Sequence, residues 1–214
     1  MSKDAKTGKK AAKAKATMRS VEAVDVAATH AIARHRDAAP MRLAAFLGEI
    51  ADQPQLITAS AATIAAGLIA RRPDLVRGGA RMLTAHLIAT AAKTVIKHTF
   101  DRTRPEKALA DGQHRFEEGD SHDHELNSFP SGHTAGAVAV ARAASHDIAG
   151  AALPATLGAG AIAALQPASG HHYLSDVVVG AAIGWVSEAA ASAVVSRVES
   201  VLDRHWGSVH PPRG

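Results

Sequence analysis

The chain has 214 residues, 47% of them apolar and 21% charged, with a formal net charge of +4. That balance excludes a generically disordered chain and suits one domain or one compact helical membrane bundle. Alanine supplies 49 residues while aromatics make up only 3%, which argues for helices and against a β-sandwich or β-barrel. The absence of cysteine excludes a disulfide scaffold, a thiolate zinc site, an iron–sulfur cluster and a cysteine nucleophile.

Charge is unevenly placed. Residues 1–19 hold Lys3, Lys6, Lys9, Lys10, Lys13, Lys15 and Arg19 against Asp4 alone, so the folded body is left slightly negative. The stretch reads as a solvated, disordered basic tail; contact with anionic headgroups is the alternative. No aromatic interleaves the lysines, which weakens a nucleic-acid role. No apolar h-region follows them, so no signal peptide is expected. From residue 20 to 48, Val21, Val24, Ala28 and Ile32 alternate with charges, predicting an amphipathic helix broken near Pro40.

A catalytic helical domain is expected over residues 49–200 and a short tail over 201–214. Gln53–Ala70 is free of charge, and Arg71-Arg72-Pro73-Asp74 reads as a loop. Ala80–Ile96 is a second helical stretch, 101–130 a polar loop, and Thr134–Ala144 a small-residue helix. Ile148–Ser175 lacks Lys, Arg, Asp and Glu but carries the breakers Pro154 and Pro167, and Val177–Val195 is helical. The expectation is an all-α bundle of about five to six helices, membrane-embedded in several passes. Gly180 and Gly184 form a small-xxx-small pair, and Arg71, Arg72, Arg77, Arg142, Arg197 and Arg204 would gather at one end, away from the motifs. Against embedding, the stretches are short and the mean hydropathy is −0.01.

Three clusters carry chemistry. Lys97 and Arg104 lie about two helical turns apart and would share a face if the helix continued; both are phosphate partners. Pro130-Ser131-Gly132-His133 opens a helix, so free N–H groups, the Ser131 hydroxyl and His133 form an anion site with a general acid at its mouth. His172 and Asp176 stand four apart, and a carboxylate bonded to one imidazole nitrogen would leave the other free to attack phosphorus. The acidic loop holding His114, His122 and His124 reads as flexible rather than metal-binding, and His171 is out of register with Asp176.

The order K-x6-R-P, P-S-G-H, H-x3-D resembles the phosphatidic acid phosphatase type 2 (PAP2) superfamily of lipid phosphatases, bacterial acid phosphatases and vanadium haloperoxidases. The resemblance implies a helical, metal-independent phosphatase without a cofactor. By it, Lys97, Arg104, Ser131 and Gly132 would bind phosphate, His133 would protonate the leaving oxygen, and His172 would form phosphohistidine, oriented by Asp176. The third motif departs: Gln166 stands where the family places a second phosphate-binding arginine, which predicts a slow enzyme unless another basic residue, such as Arg102, fills that role. The implied substrate is a lipid phosphate or other phosphomonoester, met in the inner membrane with the site on the periplasmic side. The competing readings are a degenerate anionic-lipid binder and a vanadate-dependent haloperoxidase.

Overall fold

The computed structural model describes residues 3–39, 41 and 51–209. The helices run α1 Lys3–Ala33, α2 Gln53–Ala70, α3 Pro73–Lys97, α4 Pro105–Asp111, α5 Gly132–Asp147, α6 Ala152–Ala168 and α7 Leu174–Val209. Between α3 and α5 lie strands β1 (Phe100–Arg102) and β2 (Phe116–Glu118), then a 3-10 turn, His124–Leu126. The region expected as plain loop therefore holds an antiparallel hairpin, with Phe100 opposite Glu118 and Arg102 opposite Phe116.

Helix boundaries follow local chemistry. Pro54 and Pro73 occupy the first turns of α2 and α3, where a missing N–H costs nothing. Arg71 adopts a left-handed conformation, φ 52°, which lets the chain reverse from α2 into α3 within two residues. Pro154 and Pro167, expected as breaks, lie in the first and last turns of α6 and do not divide it. Proline disrupts a helix most in its interior, where it removes a bond and clashes with the preceding turn.

Helix α3 packs on α2, α5 and α7 around a core built largely of alanine: Ala85, Ala89, Ala139, Ala143 and Ala191, with Leu56 and Met82. Small side chains permit close approach. A Cβ on Gly180 would stand 2.5 Å from the Ser131 carbonyl oxygen, and one on Gly184 2.5 Å from that of Ala135. The Gly180/Gly184 pair is thus where α7 meets the backbone of α5. This packing gathers Asp52, Lys97, Ser131, Gln166 and His172 at one end of the bundle. At the other end Arg77, one of the arginines expected there, pairs with Glu199 (2.9 Å), and Arg81 pairs with Asp147 (2.7 Å).

Two sequence expectations differ from the structure at the termini. The basic tail is helical from Lys3, because alanine and lysine are both strong helix formers; its residues 16–20 stay exposed to solvent. The helix α7 runs past residue 200 to Val209. Pro40 and the segment 42–48 lie outside the described residues. From Glu22 onward α1 lies across the motif-bearing end. Its Asp25 accepts hydrogen bonds from the Ser175 backbone N–H (3.1 Å) and from Ser175 Oγ (2.5 Å), and Thr29 Oγ1 accepts from the Leu174 N–H.

Among the described residues one helical stretch, Leu174–Leu202, is long and apolar enough to cross a membrane. Its mean hydropathy is 1.6 and only 28% of that window is buried. Alanine-rich helices pack well but score weakly as spans, and for this reason the multi-pass expectation is met by a single candidate.

The α5–α7 contact leaves no room for a methyl group. Gly180→Ala is expected to cost about 1–3 kcal/mol through overpacking, read as a lower urea midpoint at unchanged m-value.

Candidate active site

Helix α3 ends at Lys97, so Lys97 and Arg104 do not share a helical face as their spacing suggests. The chain turns through β1, and Arg104 becomes the residue that precedes α4. The two cations nevertheless anchor on one short segment, Lys97 on Asn127 and Arg104 on His124. Lys97 Nζ donates to the Asn127 carbonyl oxygen (2.7 Å) and to Asn127 Oδ1 (2.8 Å). Arg104 Nε donates to the His124 carbonyl oxygen at 2.9 Å. Burial, then the charges of Arg104 and Lys93, push the Lys97 ammonium down to about 7.

Ser131 caps α5, its Oγ accepting from the Thr134 N–H at 3.4 Å, and Gly132 opens the helix. The first N–H groups of a helix lack intrahelical acceptors, so this end is suited to an anion. His133 stands beside it, and its Nε2 lies 2.6 Å from Asp52 Oδ1. Burial lowers the His133 pKa below the ordinary histidine value, against the pull of that carboxylate. The His133 and His172 rings lie edge to face, inclined at 65° with centroids 6.5 Å apart.

His172 precedes α7, which starts at Leu174, and is buried. Its Nδ1 is 2.6 Å from the Ser128 carbonyl oxygen but 3.7 Å from Asp176 Oδ2. A carbonyl can only accept, so Nδ1 carries the proton and Nε2 holds the free lone pair. The expected direct Asp176–His172 hydrogen bond is therefore replaced by one to the backbone, and Asp176 acts on the ring through charge. Asp176 Oδ2 accepts from Ser128 Oγ (2.6 Å) and from the Tyr173 N–H (2.8 Å), which holds in place the residue whose carbonyl holds His172. Burial, opposed by Asp176, lowers His172 to about 4, so the imidazole is neutral near pH 7.

Arg102 explains the position of Asp176. Its fully buried guanidinium donates to Asp176 Oδ1 (2.5 Å), Ser175 Oγ (2.8 Å), Asp25 Oδ2 (2.8 Å) and Glu22 Oε1 (2.7 Å). It also stacks 4.1 Å from the centre of the Tyr173 ring. Both terminal nitrogens are so engaged and Nε is buried without a partner among the described residues, so Arg102 is a support of the site and not a phosphate ligand.

The remaining sequence candidates separate. Gln166 is buried; its Nε2 donates to Ile162 O on its own helix (3.3 Å), and its Oε1 has no partner among the described residues. Its carbonyl accepts the N–H groups of His171 and His172, which keeps the loop in register. His114 bridges Glu22 (2.6 Å) and the Tyr173 hydroxyl (2.9 Å). His98, Asp120 and His122 form an exposed trio with donor atoms within 4.8 Å of one another. His171, set aside on register, is near enough to Arg104 and His133 to feel their charges. Asp52, Lys93, Asn127 and Ser128 were missed as site residues. Asp52 follows a segment with no motif, and Lys93 repeats Lys97 one turn earlier, the one signal that could have marked it.

A PAP2 superfamily family model matches residues 78–199, more than half of the chain. The chain belongs to the PAP2 superfamily. The PAP2 match spans Lys97, Arg104, Ser131, His133, His172 and Asp176 and supports a phosphatase; Asp52 falls outside it. The crystal structure of Aquifex aeolicus LpxE shares the fold with a TM-score of 0.58 at 22% identity, over 76% of this chain and 91% of that chain. No curated protein matches this PAP2 chain.

Two measurements check this account. Sulfate keeps its charge across neutral pH, so its affinity reports the protein: it should weaken as pH rises through about 7 and Lys97 loses its proton, and Lys97→Met should remove that part of the slope. Arg102→Met strands Asp176 and Asp25 as buried, uncompensated charges and should destabilise the fold by about 3–5 kcal/mol, measured by urea unfolding.

Proposed function

We propose that the protein is a membrane-associated phosphatase that hydrolyses a phosphomonoester, a lipid phosphate above all, through a phosphohistidine. The observation that carries the reading is His172, with its proton fixed on Nδ1 by Ser128 and its ring centre 6.5 Å from that of His133. A tetrahedral phosphoryl group between the rings would place its oxygens among Lys97, Arg104, the Ser131 hydroxyl and the Gly132 N–H. Phosphoryl transfer asks mainly for such positioning and charge neutralisation.

His172 Nε2 attacks phosphorus, the ester P–O bond breaks, and the leaving oxygen takes a proton from the imidazolium form of His133, the form that Asp52 favours against burial. Water then attacks the phosphohistidine while His133 takes its proton; the P–N bond breaks and phosphate leaves. Asp176 stabilises the imidazolium through space. No step draws on a metal or a cofactor. Gln166, a neutral residue where the family has a cation, would leave the cradle short of one charge and the enzyme slow unless another group supplies it.

Lipid preference is supported by position. Leu68, Ile69, Leu153, Leu157, Val178 and Val186 are exposed on α2, α6 and α7, and large exposed apolar surface marks contact with other apolar matter. In this reading Leu174–Leu202 anchors the chain, the site end faces the extracytoplasmic side, and the opposite, arginine-bearing end faces inward. The basic first part of α1 would meet anionic headgroups.

Full-length protein in detergent should release phosphate from phosphatidate or p-nitrophenyl phosphate. His172→Ala should abolish turnover, and Asp176→Asn should leave a residue of it. An acid-labile phosphoenzyme should map to His172. Lipid binding without any turnover in the wild type would favour the anionic-lipid binder, and halide peroxidation with added vanadate the haloperoxidase.

A further inference from the structure

A phosphoryl group in flight spreads negative charge over three equatorial oxygens, and the site described so far offers two cationic side chains, Lys97 and Arg104. Gln166 is neutral and hydrogen-bonded to its own helix. Arg102 is buried and committed to three carboxylates. Neither supplies the third charge.

Lys93 is placed to do so. It lies one turn before Lys97 on α3, so both side chains leave the same helix face. Its stem runs over Gly132, the first residue of α5. A Cβ on Gly132 would stand 2.7 Å from Lys93 Nζ and 3.1 Å from Lys93 Cδ. The ammonium therefore lies at the helix end where the anion seat opens, in room that only glycine leaves. Lys93 is half-buried, and among the described residues it makes no hydrogen bond and no ion pair within 4.0 Å. The groups that face it are Asp52, Lys97, His133 and His86, each linked to it by charge. A desolvated ammonium with that of Lys97 one turn away is an unfavourable arrangement for an empty site, and a bound dianion would relieve it.

We infer that Lys93 is the third phosphate-binding cation of this site, supplying from α3 the positive charge that Gln166 does not. The inference rests on the phosphatase reading. A lysine gives a point charge where an arginine would give a planar fork, so the substitution keeps charge and loses bidentate geometry.

The test uses the full chain in detergent, with orthovanadate as the probe of the anion seat and p-nitrophenyl phosphate as substrate. Lys93→Met should weaken vanadate binding and lower kcat/KM by about 10- to 100-fold each, the worth of one charge-assisted contact. Lys93→Arg should keep most of both. Lys107→Met, which removes an exposed lysine paired with Asp111 and Glu125, should change neither. Thermal melting of each variant confirms folding. Wild-type vanadate affinity in folded Lys93→Met overturns the inference, even where wild-type turnover upholds the phosphatase. A shifted pH profile at unchanged vanadate affinity also overturns it and makes Lys93 a partner of the Asp52–His133 pair. A wild type that binds vanadate but hydrolyses no ester defeats the phosphatase reading, and the binding arm still decides Lys93. A wild type that binds no vanadate sinks both.

Discussion

The site depends on one buried guanidinium. Arg102 sits at the end of a three-residue strand and reaches α1 through Glu22 and Asp25 and α7 through Ser175 and Asp176. A charge held without solvent requires opposite charge and hydrogen bonds in good geometry, and Arg102 has both. Through Asp176 the constraint passes to Ser128, and through the Ser128 carbonyl to the tautomer of His172. A chain of short polar contacts thus reaches from α1 to the proposed nucleophile.

The apolar bundle supplies a different quantity: proximity. Glycine and alanine bury little area each, but they let helix backbones touch, as α7 touches α5 at Gly180 and Gly184. Close axes bring the ends of α3 and α6 and the starts of α5 and α7 within reach of one small ligand. The cost of small residues is a thin apolar contact. The polar network at the opposite end, where Arg81 joins Asp147 and Ser192 while Arg142 joins Glu188, ties the same helices together there.

The electrostatics of the site follow from burial of unequal groups. His172 is desolvated and neutral, as a nucleophile must be. Burial depresses the charged form of Lys97 and of Lys93; the charges of Arg104 and Lys93 add to this at Lys97, while Asp52 opposes it at Lys93. Asp52, the carboxylate that acts on Lys93, is bonded to His133. The free site therefore carries excess positive charge, which favours a tetrahedral anion.

The sequence by itself determined the helical class, the three motifs and the residues from which a phosphate seat can be built. Those are local facts: alanine content, turn residues before a helix, and cations and histidines at set spacings. It misjudged what depends on partners far along the chain. Spacing suggested that Lys97 and Arg104 share a helical face, yet a hairpin intervenes; an i, i+4 pair suggested that Asp176 bonds His172, yet the helix starts two residues later. Only the tertiary structure decided that Arg102 is a support rather than a ligand, because its carboxylates are 74 to 80 residues away in sequence. Only it placed Asp52 on His133 and Lys93 over Gly132. Periodicity fixes which face a side chain leaves from, but the convergence of helix ends is set by how closely the helices pack, and that is a property of the whole bundle.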